Sequence, residues 1–347
     1  MERSGASRSA RAAVFGAVSA RLSLLSDRQL GEAVASATPR GSGVGGRAAE
    51  FEVDGAPVFL KRIPLTDVEL APEHARSTAN VFGLPVFYQY GVGSSGFGAW
   101  RELAVHAMTT GWVLGGACED FPLMYHWRVL PDSPPHGFAD EFGGVDGAVA
   151  HWEGSPAVRE RLEAIGRSRA SVVVFLEHLP QTLAAWLADR QKDPSHGGYG
   201  PRYGWAEEAV MRTAAFMRSR GLIHFDAHFD NILTDGRSVR FADFGLALST
   251  EFALSRAESV FLASHRSYDG DYLANHLLRH HLPAALRGGL GHEAFLRRWI
   301  AGDRPESIAP EIAAVIDRHA CRAVVVDGFQ RRLIHESKRT PYPAPGP

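Results

Sequence analysis

His224-Phe-Asp-Ala-His-Phe-Asp-Asn231, followed twelve residues later by Asp243-Phe-Gly245, is the stretch on which the reading of the fold turns. It puts two carboxylates, an amide and two imidazoles between the strand-like pair Leu222-Ile223 and a second strand-like run, Val239 to Ala242. Upstream, Ala206, Val210, Thr213, Ala214 and Met217 share one face of a helix, and Gly221 stands where a left-handed C-terminal cap belongs. Taken alone, Asp226 and Asn231 could be a polar turn whose side chains satisfy the local backbone, and Asp243-Phe-Gly could be a plain turn. Four typed positions in register between two apolar runs exceed what turns require.

Outward from there the pattern becomes specific. The first segment is similar to the catalytic loop of the protein-kinase-like family, H-x-D-x-x-x-x-N, and Asp243-Phe-Gly reproduces that family's metal-binding triplet. The resemblance implies an α+β, bilobal protein-kinase-like fold with a small β-rich N-lobe and a larger helical C-lobe. It implies an ATP- and Mg²⁺-dependent phosphotransferase, a kinase in which Asp226 orients the acceptor hydroxyl and takes its proton. Asn231 and Asp243 would supply oxygen ligands to Mg²⁺, a hard cation that prefers them. His224 would brace the loop, and His228 and Asp230 would stand beside the phosphates. Phosphoryl transfer asks little covalent chemistry of the protein, so positioning and charge neutralisation explain why these residue types recur.

Nearer the N-terminus, Gly41-Ser-Gly-Val-Gly-Gly46 fits G-x-G-x-x-G, and Lys61 lies fifteen residues beyond it. By resemblance Gly41, Gly43 and Gly46 would cover the phosphates and Lys61 would pair with them; the bland alternative is a linker and a surface lysine. Between loop and lysine, Asp54-Gly55 separates the apolar runs Ala48 to Val53 and Val58 to Ile63, a hairpin signal. The family pairs its strand lysine with a helix glutamate. Glu102, on the expected helix Ala99 to Leu114, is the first choice and Glu73 the second, with an insertion at Thr66 to Gly98. Gly91-Val-Gly-Ser-Ser-Gly96 also fits G-x-G-x-x-G between an expected strand, Pro85 to Tyr90, and a helix. No repeated βαβ alternation follows it, which counts against a dinucleotide site.

Phe121 to Leu130 reads as a strand, Pro131 to Gly154 as a loop, and Ser155-Pro156 to Gly166 as a capped helix. Ser171 to Leu176 has the continuous apolar run of a strand buried on both faces. Phe175-Leu-Glu-His-Leu179 after it resembles the family's hinge, in which the Glu177 carbonyl and the Leu179 N–H would face adenine. A helix over Thr182 to Asp189, a break from Asp193 to Gly204, and helices over Tyr272 to Leu282, Glu293 to Ile300 and Ile308 to Val326 complete the pattern. His276 and His280 stand at i and i+4 but have no third ligand at suitable spacing, so a solvated helix face is the expectation there. The expected organisation is a helical extension over 1–37, an N-lobe over 38–177, a C-lobe over 178–339 and a disordered, proline-rich tail over 340–347.

A chain of 347 residues has room for two lobes. Thirty-seven basic against thirty-nine acidic residues leave a formal charge of -2, with no electrostatic footprint for nucleic acid. No apolar run reaches the roughly 18–20 residues of a membrane span. The start, with Arg8 and Arg11, only faintly resembles a signal peptide, because Arg21 interrupts it and helical spacing continues through Leu22, Leu25 and Leu30. Cys118 and Cys321 are too few for a disulfide framework, which suits a cytoplasmic setting.

Three departures bear on the acceptor. Phe225 replaces the family's arginine before the catalytic aspartate, His228 stands where protein kinases place a lysine, and no Ala-Pro-Glu follows Asp243. Phosphorylation-driven activation and a full peptide-docking segment are therefore not expected. A protein serine or threonine hydroxyl ranks first as acceptor, and a small-molecule hydroxyl of the aminoglycoside phosphotransferase type second. A catalytically silent, nucleotide-binding pseudokinase ranks third.

Overall fold

Asp54 and Gly55 both take positive φ, 49° and 81°, the geometry of a two-residue turn whose twist matches that of the strands it joins. In the computed structural model, which describes residues 2–43, 46–91, 93–192, 199–305 and 308–344, this turn joins two antiparallel strands of the sheet. Val44 and Gly45 of the first glycine motif, Val92 of the second, residues 193–198 of the expected break, and residues 345–347 of the tail lie outside the described residues. The chain is α+β, about 50% helical with a five-stranded antiparallel sheet.

Two helices, α1 (Glu2–Ser23) and α2 (Asp27–Ser36), precede β1 (Thr38–Gly43), β2 (Gly46–Val53) and β3 (Ala56–Leu65). There follow α3 (Asp67–Leu70), α4 (Ala99–Leu114), β4 (Met124–Pro131), α5 (Val145–His151), α6 (Pro156–Ile165) and β5 (Ala170–Glu177). The strand order is β1-β2-β3-β5-β4, which puts β5 inside the sheet. Side chains alternate faces along a strand, so Ile63, Leu65, Val172, Val174 and Leu176 join Trp100 and Leu103 of α4 in one core cluster. Arg62 and Val173, one residue out of phase, instead line a cavity of about 370 Å³ with Asp27, Arg28 and Val34 of α2. That is why the run over β5 is apolar without alternation: both of its faces are covered.

Glu69 organises the long insertion between β3 and α4. Its carboxylate closes a capping box with Thr66, accepts the Ala99 N–H at 2.9 Å at the start of α4, and pairs with Arg161 at 2.7 Å. Gly98 has φ 134°, and a Cβ there would meet the Glu69 carboxylate at 2.6 Å. Both members of the ion pair are 2% exposed, so removing one strands the other in a medium that cannot solvate it. Glu69→Ala should therefore cost about 3–5 kcal/mol in a denaturant titration; a loss below about 1 kcal/mol would mean the pair is dispensable.

The chain divides into two compact units. The first runs to His178 and adds 243–247 and 251–258; the second comprises 179–242, 248–250 and the chain from Ser259. Unit two holds β6 (Gln181–Thr182), α7 (Leu183–Lys192), α8 (Tyr199–Ser219), β7 (Leu222–Ile223), β8 (Ile232–Thr234), β9 (Val239–Phe241) and β10 (Leu248–Ser249). α9 (Arg256–Ser264) leads into α10 (Tyr268–His276), which continues as a π-helical turn, Leu277–His281, before α11 (His292–Ile300) and α12 (Pro310–His335). Gly221 has φ 70° and ends α8, and a Cβ there would strike Thr250 at 2.2 Å.

Four expectations give way. Pro85 to Tyr90 is not a strand but a 3₁₀ turn over Val86–Gln89, whose apolar side chains are buried without a ladder partner. The expected loop after β4 contains α5 and a short 3₁₀ turn, Asp140–Phe142. Residues 199–204, assigned to a break on their glycines and proline, open α8, because Tyr203 is buried with its hydroxyl on the Leu277 carbonyl at 3.2 Å. The tail is held as far as Ala344: Arg322 donates to the Ala344 carbonyl at 2.7 Å, and Tyr342 donates to Asp271 and stacks on His265 at 4.8 Å. Proline content signals a chain that cannot join a helix, not one that cannot dock.

Candidate functional site

Lys61 faces α4 from the middle of β3, paired in register with Ala48 on one side and Val174 on the other. Its Nζ lies 2.7 Å from Glu102 Oε1 and 2.8 Å from Asp243 Oδ1. Burial by itself lowers an ammonium pKa; the charges of Asp243 and then Glu102 outweigh it and hold Lys61 above its ordinary value. Of the two glutamates weighed for this lysine, Glu73 is exposed and Glu102, in the first turn of α4, makes the pair. The inserted stretch explains the long spacing, because it is folded away around Glu69 before α4 begins.

Asp243 has φ 59°, a left-handed conformation that is costly for a side chain and is held here by its neighbours. Phe244 after it is fully buried, with its ring 5.1 Å from His106 and 6.3 Å from Phe121. The Gln89 side chain donates to the Leu246 carbonyl. Gly96 has φ 73°, and a Cβ on it would lie 2.5 Å from the Gly245 carbonyl. Gly96 is thus a glycine because its backbone abuts the triplet, and Gly93 because a Cβ there would strike the Phe142 ring at 2.2 Å, which leaves the dinucleotide reading without a purpose for either. Further on, Arg101 of α4 donates to Glu258 at 2.6 Å and to the Thr78 carbonyl at 2.8 Å, anchoring the segment after the triplet.

Gly41 and Gly43 end β1 and Gly46 begins β2, with Gly43 paired opposite Gly46, so the described glycines of the first motif lie in paired strand ends. Gly46 has φ 129°, and a Cβ would approach the Arg62 carbonyl to 2.3 Å. Glu177, the last residue of β5, has its own N–H on the Leu123 carbonyl at 2.8 Å, and its carboxylate is gripped by Arg11 of α1 at 2.6 and 2.8 Å. Leu179 opens unit two.

In unit two the loop from His224 to Asn231 is braced at both ends. Asp269 of α10 accepts the backbone N–H of His224 at 2.7 Å and of Phe225 at 3.0 Å. Burial pushes its carboxyl up to about 6, against the opposing pull of those two amides. Phe225 has φ 64°, and its ring is clasped by Tyr268, Phe261 and His265 at 4.8–5.8 Å. An apolar clasp thus holds the Phe225 ring. The His224 ring donates from Nε2 to the Ala242 carbonyl at 2.9 Å, while its Nδ1 accepts the Asp226 N–H at 3.3 Å.

Asn231 donates to the Asp226 carbonyl at 2.9 Å and to Asp226 Oδ2 at 3.0 Å, which spends its amide protons and leaves its Oδ1 the acceptor of the side chain. His228 lies 3.8 Å from both Asp226 and Asp230. Asp230 is exposed, with Thr182 Oγ1 at 3.5 Å. The sequence reading missed Asp269, forty-five residues from His224 and outside any local motif. Arg11 and Gln89 were missed for the same reason.

Chemically, unit one offers a cation fixed between two carboxylates, one of them on a strained triplet, and unit two offers a carboxylate steadied by an amide. Among the described residues no group of three His, Cys, Asp or Glu is arranged to hold a metal by itself, and no helix is long and apolar enough to cross a membrane. Comparison with known protein families finds no matching family model, and comparison with curated proteins finds no match.

Proposed function

We propose that this chain is an ATP- and Mg²⁺-dependent phosphotransferase of protein-kinase-like, bilobal build that passes the γ-phosphate to a hydroxyl acceptor. The observation that carries the reading is Lys61 held between Glu102 and Asp243 at 2.7 and 2.8 Å. A lysine kept charged and aimed by two carboxylates is suited to the α- and β-phosphates. The organisation proposed with it is a helical extension over 1–37, an N-lobe over 38–177 and a C-lobe from 178. The Gly41 to Gly46 motif would cover the phosphates, and the end of β5 at Glu177, with Leu179, would meet the base.

Mg²⁺ keeps most of its shell as water and phosphate oxygen and takes one or two protein oxygens, and the carboxylate of Asp243 in unit one and the amide oxygen of Asn231 in unit two are each, taken separately, a hard donor of the kind it accepts. When bound, the ion would neutralise charge on the phosphates. Asp226 receives the acceptor proton, Asn231 keeps that carboxylate in one orientation, and His224 with Asp269 holds the loop backbone. His228 would add a proton donor beside them.

Incubation of the full chain with γ-labelled ATP and Mg²⁺, scoring label on the chain, on generic protein substrates and on hydroxylated metabolites, tests the reading. Lys61→Met and Glu102→Gln should each lower transfer about 10²-fold or more, while Glu73→Gln leaves it within about twofold. Mg·ATP binding without transfer to any acceptor would replace the enzyme by a nucleotide-binding pseudokinase, and absence of binding would remove both.

A further inference from the structure

Tyr268, Tyr272, His276 and His280 recur every fourth residue along α10 and its π-helical extension, and their successive ring centroids lie 5.9, 6.0 and 4.6 Å apart. A ring stripe at this spacing ordinarily faces a core. Tyr268 does so, but Tyr272 and His276 are only partly buried, and their neighbours belong to the loop that carries Asp226. His276 stacks on His228 at 6.3 Å and lies tilted against Phe229 at 4.9 Å. Asp226 is close enough to Tyr272 that its charge adds to burial in resisting ionisation of the phenol.

Two polar atoms on this wall have no use inside the fold. Nδ1 of His276 is buried without a hydrogen-bond partner, and the Tyr272 hydroxyl makes no hydrogen bond among the described residues. Burial, reinforced by His281, His280 and His228, pushes the His276 imidazole down to about 2, so the wall's central ring is neutral. The carboxylates at its base are already engaged: Asp269 on two backbone amides, Asp271 by Arg322 at 2.7 Å and by Tyr342.

We propose that this ring wall is the acceptor platform and that it takes a neutral polyhydroxylated ring, a monosaccharide or cyclitol, stacked on Tyr272 and His276 with one hydroxyl directed at Asp226. This rests on the phosphotransferase reading above. The C–H face of such a ring meets the aromatic faces, and its remaining hydroxyls satisfy His276 Nδ1 and the Tyr272 hydroxyl. In the transfer, the acceptor oxygen forms a bond to the γ-phosphorus of the nucleoside triphosphate as the bond to the β–γ bridging oxygen breaks. The hydroxyl proton goes to Asp226, and the nucleoside diphosphate leaves with the bridging oxygen. Neither carboxylate of α10 is left to meet the ammonium groups of a polycationic aminosugar, whose remaining attraction would be to the exposed Asp230.

The test is γ-phosphate transfer by the full chain from Mg·ATP to neutral monosaccharides and cyclitols, polycationic aminosugars and serine or threonine peptides, with Mg·ATP binding measured separately by calorimetry. Transfer to a neutral ring is expected, with acceptor KM raised about tenfold or more in Tyr272→Ala and His276→Ala while the KM for ATP moves less than about threefold. Tyr272→Phe and His276→Phe, which keep a flat face but lose the polar atom, should recover only the stacking part of the loss and fall between wild type and the alanine variants. His276→Leu, which fills the volume without a flat face, replaces the alanine variant if that does not fold. Transfer only to aminosugars or peptides, or an acceptor KM indifferent to these variants, overturns the platform and leaves the phosphotransferase standing. Transfer to nothing overturns both, and the calorimetry shows whether nucleotide binding survives.

Discussion

Asp226→Asn is expected to lower phosphotransfer about 10²–10⁴-fold while leaving Mg·ATP affinity within about twofold. The carboxylate's role in the proposed reaction is toward the acceptor hydroxyl, and an amide of the same shape cannot take the proton. The loop itself should survive the change, because its backbone is fixed by Asp269 through the His224 and Phe225 amides and by the His224 ring on the Ala242 carbonyl. Asp243→Asn should behave differently in kind. It removes a carboxylate from Lys61, whose Nζ lies 2.8 Å away, and from the proposed metal, so Mg·ATP affinity should fall about tenfold or more along with turnover. Calorimetry with Mg·ATP and a coupled turnover assay on both variants separate the two. Equal loss of nucleotide affinity in both would sink the division of labour between these aspartates.

Unit two should be acid-labile well above the usual carboxylate range. Burial pushes His265 down to about 4, His276 to about 2 and His281 to about 4, the last two helped by neighbouring histidines. His292 is pushed the same way. A histidine whose folded pKa lies below its unfolded value stabilises the fold above about pH 6.5 and loses that contribution as pH falls toward the folded value, because only the unfolded chain can take the proton. Each of the first three should cost roughly 2 kcal/mol between pH 7 and 5. Asp269, with its folded carboxyl raised to about 6, works in the opposite sense: its contribution grows as pH falls through about 6, offsetting roughly 1 kcal/mol. From His265, His276, His281 and Asp269 the expectation is a loss of about 5 kcal/mol over those two pH units, to which His292 adds in the same direction, read from urea midpoints of the full chain at pH 7 and 5. A flat profile would mean that these imidazoles are protonated, or solvated, in the folded state.

Much of this architecture was legible one element at a time. Asp54-Gly55 between apolar runs marked the hairpin because few residues accept positive φ at two successive positions. Ala99–Leu114 was read with the bounds it has, and Ser155-Pro156 with Gly166 framed α6, because caps and prolines act within a few residues of where they stand. The same locality explains the misreadings. Pro85 to Tyr90 is as apolar as a strand, but a strand needs a partner, and nothing in those six residues says whether one exists. Tyr203 turned an apparent glycine-rich break into helix by reaching Leu277, seventy-four residues away.

For the candidate site the division follows the range of the interaction. The sequence by itself determined which residue types stand at which spacing along the loop from His224 to Asn231 and the triplet at Asp243, because that geometry is set by a short run of backbone between strands. Only the tertiary structure decided that Glu102 and not Glu73 meets Lys61, that Asp269 holds the His224 and Phe225 amides, and that Gly96 is glycine because it touches Gly245. Each of those joins segments forty or more residues apart, and a buried charge or a missing Cβ acquires its partner only when the chain between has folded.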